Sequence, residues 1–385
     1  MEDTELCSLG ASAQSRLLHA GQTRAVDLLE ASLRRIARSA NVFSDLNVTT
    51  ARAAALDADR RLAAGERLPL LGVPVAVESA TRPEAATALS AAGAVLVGRT
   101  APAEEHPNTA QRAEWSSHDP LVSGTATAVA TGMVGGALVP GAPGAGRVPA
   151  GAAGAIGFQP YTGRPGRATG VLARHTADVA LMLDALGLRS AGPLRAKSLR
   201  IGVSLRGVGL HSRARQGISD TVGDVAALLS MHGHAVHDHD DRPADRTRIL
   251  LAPHLTATPA ELRALGRVMP EPLRGICRRV ATAERTMVDE MFSDIDVLVT
   301  PGYTGAPEHS APPSGARTGA VLVRSGVTTP FSPLWRISGY PAVSVLAGWS
   351  PEGHPLPVQL TAAPHAEGAL LDLVRLIEDD MHRRS

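Results

Sequence analysis

Lysine is nearly absent from this sequence of 385 residues. Lys197 is the single lysine, and the other cationic side chains, histidine apart, are arginines. A reaction that needs the ammonium group of a lysine therefore has one candidate. Lys197 comes just before the apolar stretch SLRIGV, where a solvent-exposed lysine is expected. We therefore expect no lysine-based chemistry.

Cysteine, net charge and long apolar runs are also scarce. Cys7 and Cys277 have no C-x-x-C or metal-ligand spacing, so we expect free thiols in a reducing compartment. The 38 basic and 37 acidic residues give a net charge of +1. This balance argues against nucleic acid or an anionic membrane as a partner. Without a run of 18 apolar residues or a signal-peptide pattern, a cytoplasmic location is expected.

Apolar strands alternate with amphipathic helices along the chain, which predicts an α/β fold. A helix is expected over 23–38, with Thr23 as its N-cap. Strand patterns at 72–79 and 94–98 enclose a helix pattern at 84–92, which indicates a βαβ unit and a parallel strand pair. A single domain over 1–385 follows.

Further segments complete this pattern. The stretch 126–139 is lined by small residues and predicts a tightly packed core helix. The other predicted elements are helices over 49–64, 175–187, 215–232, about 259–292 and 365–383, and strands over 199–204, 234–238, 296–301 and 341–348. The chain has no internal repeat.

The order of six segments resembles that of the amidase-signature family over most of the chain. These segments are GVPVAV at 72–77, AVATGMV at 128–134, the run from Arg147 to Arg164, LARHTADVALMLDALG at 172–187, DVLVTP at 296–301, and ISGYPAVSV with LPVQL near the C-terminus. The resemblance implies the family fold, in which one large mixed sheet is covered by helices on both faces. It also implies a pocket that takes a small molecule.

Family members use a Ser–cis-Ser–Lys triad, and this chain departs from it at each position. Glu78 stands at the lysine position, Leu121 at the bridging serine and Ala145 at the nucleophile. The glycine-rich turn that holds the oxyanion contains Pro143 and Gly144, and a proline has no N–H to donate. The family mechanism of amide hydrolysis is therefore not expected.

The candidate pocket is defined by the positions around these replacements. Its members are Glu78, Ser123, Thr125, Pro143, Gly144, Ala145 and Arg147. Ser123 is a possible remnant of the bridging-serine loop, and Arg147 is either scaffold or a group that binds an anion. The chain is shorter than the family norm between 79 and 121, which predicts a reshaped pocket. Enclosure would raise the pKa of Glu78 and suit it to acid–base catalysis, unless it only neutralises a nearby arginine.

Two other polar segments are less suggestive of chemistry. HGHAVHDHDD at 232–241 has metal-binding side chains, yet its position after a strand favours an exposed turn. SSHDP at 116–120 places Ser, His and Asp next to one another in the sequence. The members of a catalytic triad are instead brought together by the fold from separate positions, so we expect no triad in this segment. We expect no metal and no cofactor.

Three hypotheses of function remain open. The first is a non-hydrolytic pseudoenzyme that binds a small molecule or a partner protein. The second is a repurposed enzyme of specialised metabolism, in which Glu78 catalyses a cyclisation, dehydration or isomerisation. The third is an amidase that uses a nucleophile not yet identified. The sequence leaves open whether the protein forms a homodimer.

Overall fold

The computed structural model describes most of the chain. The described residues are 2–39, 42–79, 81–101, 123–140, 146–161, 169–188, 198–206, 214, 216–239, 286, 288–303, 331 and 338–384. Among them the helices are α1 (Asp3–Ser8), α2 (Ala11–His19), α3 (Ala25–Ile36), α4 (Val48–Ala63), α5 (Pro83–Ala91), α6 (Gly124–Ala130), α7 (Arg147–Ala152), α8 (Thr176–Ala185), α9 (Gln216–Met231) and α10 (Glu367–Arg384).

The strands form one sheet. They are β1 (Phe43–Leu46), β2 (Pro74–Glu78), β3 (Val95–Thr100), β4 (Gly136–Pro140), β5 (Ile156–Gln159), β6 (Thr169–Ala173), β7 (Arg200–Val203), β8 (Ala235–Asp238), β9 (Val297–Pro301), β10 (Ala342–Trp349) and β11 (Pro355–Ala362). Their order in the sheet is β1-β3-β2-β4-β6-β5-β10-β11-β9-β7-β8. Parallel and antiparallel pairs both occur, so the prediction of a large mixed sheet is confirmed.

The predicted βαβ unit is present. Strand β2 is buried at every position and pairs in parallel with β3, as expected for a strand covered on both faces. Helix α5 connects the two strands and begins with Pro83, whose missing N–H leaves no helical hydrogen bond unmade there. Strands β7 and β8 form a second parallel pair around α9. The predicted strands at 199–204 and 234–238 and the predicted helix at 215–232 correspond to this second pair and its helix.

Two local predictions were wrong. Helix α3 begins at Ala25 with Arg24 as its N-cap, not Thr23, because Asp59 of α4 accepts the Ala25 N–H at 2.6 Å. The stretch 126–139 is not one core helix, since α6 ends at Ala130 and β4 begins at Gly136. Gly132 stops the helix with a φ of 74°, the left-handed conformation that follows many helix ends.

Helices α7 and α8 lie on opposite faces of the sheet. Gly136 and Val139 of β4 are three residues apart and so point to opposite faces. A Cβ built on Gly136 would clash with the sulfur of Met182 in α8, whereas Val139 packs against Gly146 at the start of α7. Helix α10 packs on the α8 side, where it contacts both α8 and β10.

Candidate active site

Glu78 is the last residue of β2 and is 3% exposed. It pairs with Thr100, the last residue of the parallel strand β3. The carboxyl ends of parallel strands form an edge where α/β proteins commonly place ligands. The βαβ unit thus puts the carboxylate of Glu78 at this edge of the sheet.

Helix α6 brings a hydroxyl group to this carboxylate. Thr125 is fully buried, and its Oγ1 donates a hydrogen bond of 2.9 Å to Oε2 of Glu78. Oγ1 of Thr100 lies 2.7 Å from Oγ1 of Thr125. Because Thr125 has one hydroxyl proton and gives it to Glu78, Thr100 is the donor in the second bond. The three side chains form a chain of hydrogen bonds that ends on the carboxylate.

Ser123 has a different task. It is the N-cap of α6, and its Oγ accepts a hydrogen bond of 3.2 Å from the N–H of Ala126. Such a cap satisfies one of the free N–H groups at the start of a helix and typically stabilises it by about 1 kcal/mol. The cap fixes the first turn of α6, and that turn carries Thr125. Ser123 therefore positions the site, and the hydroxyl that contacts Glu78 belongs to Thr125.

Arg147 is the first residue of α7 and is 3% exposed. Its Nη1 has no hydrogen-bond partner among the described residues. Burial lowers the pKa of Arg147 to about 10, a value at which the guanidinium is still charged at neutral pH. The side chain therefore places a positive charge in the interior of the protein.

Several predicted site residues lie outside the described part of the chain. They are Leu121, Pro143, Gly144 and Ala145, and Lys197 and the SSHDP segment lie outside it as well. Of the segment predicted to be shortened, between 79 and 121, the structure describes residues 79 and 81–101. Most of the helical stretch predicted at about 259–292 also lies outside the described residues. The identity of these positions with the family triad and oxyanion turn stays a prediction.

The histidine-rich segment offers no metal site in its described part. His237 lies on the edge strand β8 and His239 just after it, and the centroids of their rings are 6.1 Å apart. Among the described residues no group of three or more His, Cys, Asp or Glu side chains is arranged to hold a metal ion. Within the same residues, no helix is both long and apolar enough to cross a membrane.

Thr100 is the site residue that the sequence interpretation missed. The predicted parallel pair 72–79 and 94–98 places the ends of the two strands side by side, but the predicted second strand stopped two residues before Thr100. Glu78 and Thr125 were both named as candidates, and the structure brings them together.

Comparison with known proteins decides the family. "Putative amidase AmiB2" of Mycobacterium tuberculosis H37Rv is 30% identical over 466 aligned positions, which cover 100% of this chain and 99% of the relative. "Putative amidase AmiA2" of the same strain is also 30% identical, with 94% of this chain and 92% of the relative covered. The chain belongs to the amidase family. The family model described as Amidase matches residues 273–371.

Solved structures share the fold of this amidase-family protein. A bacterial aryl acylamidase of the amidase-signature family superposes with a TM-score of 0.76 and 18% identity, with 96% of each chain covered. A 6-aminohexanoate cyclic dimer hydrolase also gives 0.76, with 21% identity in the substrate complex and 97% of each chain covered. At these identities the likeness establishes the fold, and the predicted fold class is confirmed.

The expectation of a non-hydrolytic pseudoenzyme is wrong, because the full-length relatives of this amidase-family protein are named amidases. The same relatives contradict the alternative of a repurposed cyclase, dehydratase or isomerase. The pseudoenzyme expectation rested on the replacements predicted at the triad positions, of which Leu121 and Ala145 lie outside the described residues. A carboxylate and a hydroxyl group nevertheless meet at the end of β2. The third hypothesis, an amidase with a different nucleophile, agrees with the relatives.

Proposed function

We propose that this protein hydrolyses an amide bond of a small molecule, with Glu78 as the base and Thr125 as the nucleophile. The observation that carries the proposal is the hydrogen bond of 2.9 Å from Oγ1 of Thr125 to Oε2 of Glu78. A hydroxyl group in contact with a base is the arrangement that activates a nucleophile. In this proposal the pair replaces the serine–serine–lysine triad of the resembled family, which the chain lacks.

The reaction follows from the positions of the protons. Oγ1 of Thr125 attacks the amide carbonyl carbon while its proton passes to Glu78. The protonated Glu78 then gives this proton to the leaving nitrogen, and an ester of Thr125 with the acyl group remains. Glu78 next takes a proton from water, the hydroxide attacks the ester, and the proton returns to Oγ1. The products are an acid and an amine, and both side chains regain their starting states.

Thr100 is a positioning residue in this scheme. Its hydroxyl donates to Oγ1 of Thr125 at 2.7 Å, so it orients the threonine and stabilises negative charge that develops on that oxygen. Thr125 is fully covered in the structure. Attack therefore requires that the site opens when the amide binds, as it does in many enzymes.

The test is turnover by the purified protein on a panel of aryl and alkyl amides. The wild type, Glu78→Gln and Thr125→Val should be purified in the same way, so that contaminating amidase contributes equally to all three. We expect turnover by the wild type that exceeds both variants by at least about a hundredfold. An acyl group attached to Thr125, detected by mass spectrometry after rapid quenching, would identify the nucleophile. Equal rates in the three proteins would refute the proposal.

A further inference from the structure

Arg147 is a buried cation whose charge is not neutralised by a described neighbour. Nη1 has no hydrogen-bond partner among the described residues, and burial is the cause that lowers the pKa. Proteins rarely bury a charged group in this way, because the lost hydration must be replaced by an anion or by hydrogen bonds. The arrangement indicates that a ligand supplies the missing partner.

Two further buried polar groups near Arg147 also have no partner in the described part of the chain. They are Nε2 of Gln159 on β5 and Oγ of Ser344 on β10. Ser344 pairs with Gly157, and Gln159 lies two residues after Gly157 on the same strand. Paired residues of antiparallel strands, and residues two apart on one strand, point to the same face of a sheet. Gln159 and Ser344 therefore share a face.

Helix α7 covers that face at close range. A Cβ built on Gly157 would lie 2.8 Å from Cα of Arg147, and a Cβ built on Gly151 would lie 2.5 Å from Oγ of Ser344. The two glycines allow the helix to approach the strands this closely. Because positions four apart lie on one side of a helix, Arg147 and Gly151 belong to the same side of α7. The backbone of Arg147 and the side chains of Gln159 and Ser344 therefore lie on the one face of the sheet that α7 covers.

We propose that Arg147, Gln159 and Ser344 form a binding site for a carboxylate group. A guanidinium, an amide N–H and a hydroxyl supply hydrogen-bond donors, and a carboxylate offers about four lone-pair positions to accept them. One negative charge neutralises one arginine. A phosphate carries nearly two charges, which would leave excess charge buried.

The position of the site suggests where the carboxylate comes from. Strands β2, β4, β6 and β5 are consecutive in the sheet, so Gln159 of β5 lies three strand spacings, or about 14 Å, from Glu78 of β2. Strand β4 runs parallel to β2 and antiparallel to β6, and β6 is antiparallel to β5. Strands β2 and β5 therefore run in the same direction, and their last residues, Glu78 and Gln159, lie at the same edge of the sheet. The substrate would then be an amide with a remote carboxylate. This part of the inference rests on the proposed amidase function.

Binding can be tested without turnover by thermal unfolding in sodium acetate, sodium benzoate and sodium chloride at equal ionic strength. We expect the wild type to unfold at a higher temperature in the carboxylate salts. Arg147→Met should lose this response and, in chloride, should be as stable as the wild type or more so, because an unpaired buried charge is gone. Ser344→Ala and Gln159→Met should each reduce the rise in unfolding temperature that the carboxylate salts cause. If Arg147→Met does not fold, these two variants test the proposed site.

Arg174→Met is the matched control for the loss of a buried arginine. The Arg174 guanidinium already donates to the backbone carbonyls of Val129, Val134 and Leu9. Its removal should lower stability in all three salts and leave the difference between carboxylate and chloride intact. A wild type without that difference, or an Arg147→Met variant that keeps it, would overturn the proposed site.

Steady-state kinetics distinguishes a carboxylate that is part of the substrate from a free carboxylate ligand. Pairs of amides with and without a remote carboxylate should differ in KM by tenfold or more in the wild type, and Arg147→Met should remove the difference. A thermal response without this preference would assign the site to a free carboxylate ligand and overturn the substrate assignment. If no amide is hydrolysed while the thermal response persists, the proposed function fails and the carboxylate site stands.

Discussion

Nδ1 of His175 lies 2.8 Å from Oε1 of Glu378, and this contact joins the start of α8 to the C-terminal helix α10. The N–H of Thr176 donates to the other oxygen of Glu378 at 3.0 Å. The hydrogen bond to Glu378 raises the pKa of His175 above its usual range. Although burial acts to raise the pKa of Glu378, the bonds from His175 and Thr176 lower it overall.

These pKa shifts predict how stability depends on pH. The raised pKa of His175 gives stability that is complete below the unfolded value of about 6.5 and is lost as the pH rises through the higher folded value. The lowered pKa of Glu378 gives stability above about 4.5 that is lost as the pH falls through the folded value. The pair should therefore stabilise most between these limits. Because the His175 side chain is 44% exposed, solvent screening limits the effect to about 1 kcal/mol.

Urea unfolding from pH 5.5 to 8.5 measures this effect. The wild type should lose stability on the alkaline side relative to His175→Gln, and Glu378→Gln should flatten the same part of the profile. Wild-type and His175→Gln profiles that run parallel would show that the contact does not contribute.

Gly132 cannot be replaced without strain. Its φ of 74° suits glycine, and a Cβ there would overlap the carbonyl oxygen of Cys7, which belongs to the backbone of α1 and cannot turn aside. We expect Gly132→Ala to lower the free energy of unfolding by about 2 kcal/mol or more.

Gly223 is the matched control, since it lies on the exposed side of α9 and a Cβ built there would have no atom within 4 Å. Gly223→Ala should stabilise by about 0.5–1 kcal/mol. Denaturant unfolding measures both changes, and equal effects would contradict the expected overlap.

The hydroxyl of Thr125 and the charge of Glu78 can be removed separately. Thr125→Val keeps the shape and deletes the hydroxyl, so amide hydrolysis should be abolished. Thr125→Ser keeps the hydroxyl and should retain measurable turnover. Glu78→Gln keeps an acceptor for the hydrogen bond without the base, and we expect kcat to fall by about 10² to 10⁴.

Thr100→Val completes this series. Thr100 donates to Thr125 and does not touch the proposed substrate carbon, so its loss should lower kcat with little change in KM. Single-substrate kinetics on the same amide would measure both constants for all variants. Turnover by Thr125→Val at the wild-type rate would exclude Thr125 as the nucleophile.

The sequence predicted what depends on local pattern. The strands at 72–79 and 94–98 were predicted because short apolar runs between turn signals, with a helix pattern between them, are typical of a βαβ unit, and β2 and β3 confirm them. The sequence did not predict the contact of Glu78 with Thr125, because 47 residues separate them and the turn of α6 sets the final distance. It also did not reveal that Nη1 of Arg147 has no hydrogen-bond partner among the described residues, since burial depends on the packing of α7 against β5 and β10.

Cys7 should react slowly with thiol reagents in the folded protein. The residue is 2% exposed, and burial raises the pKa of its thiol, so little reactive thiolate is present at pH 8. In a Cys277→Ser background, a disulfide-exchange reagent should modify Cys7 at least about a hundredfold more slowly in buffer than in 8 M urea, since reaction requires local opening of α1.

Gly132→Ala in the same background should accelerate the reaction, because the added Cβ pushes against the carbonyl of Cys7. Gly223→Ala should leave the rate unchanged. A native rate equal to that in urea would mean that α1 does not cover the thiol in solution.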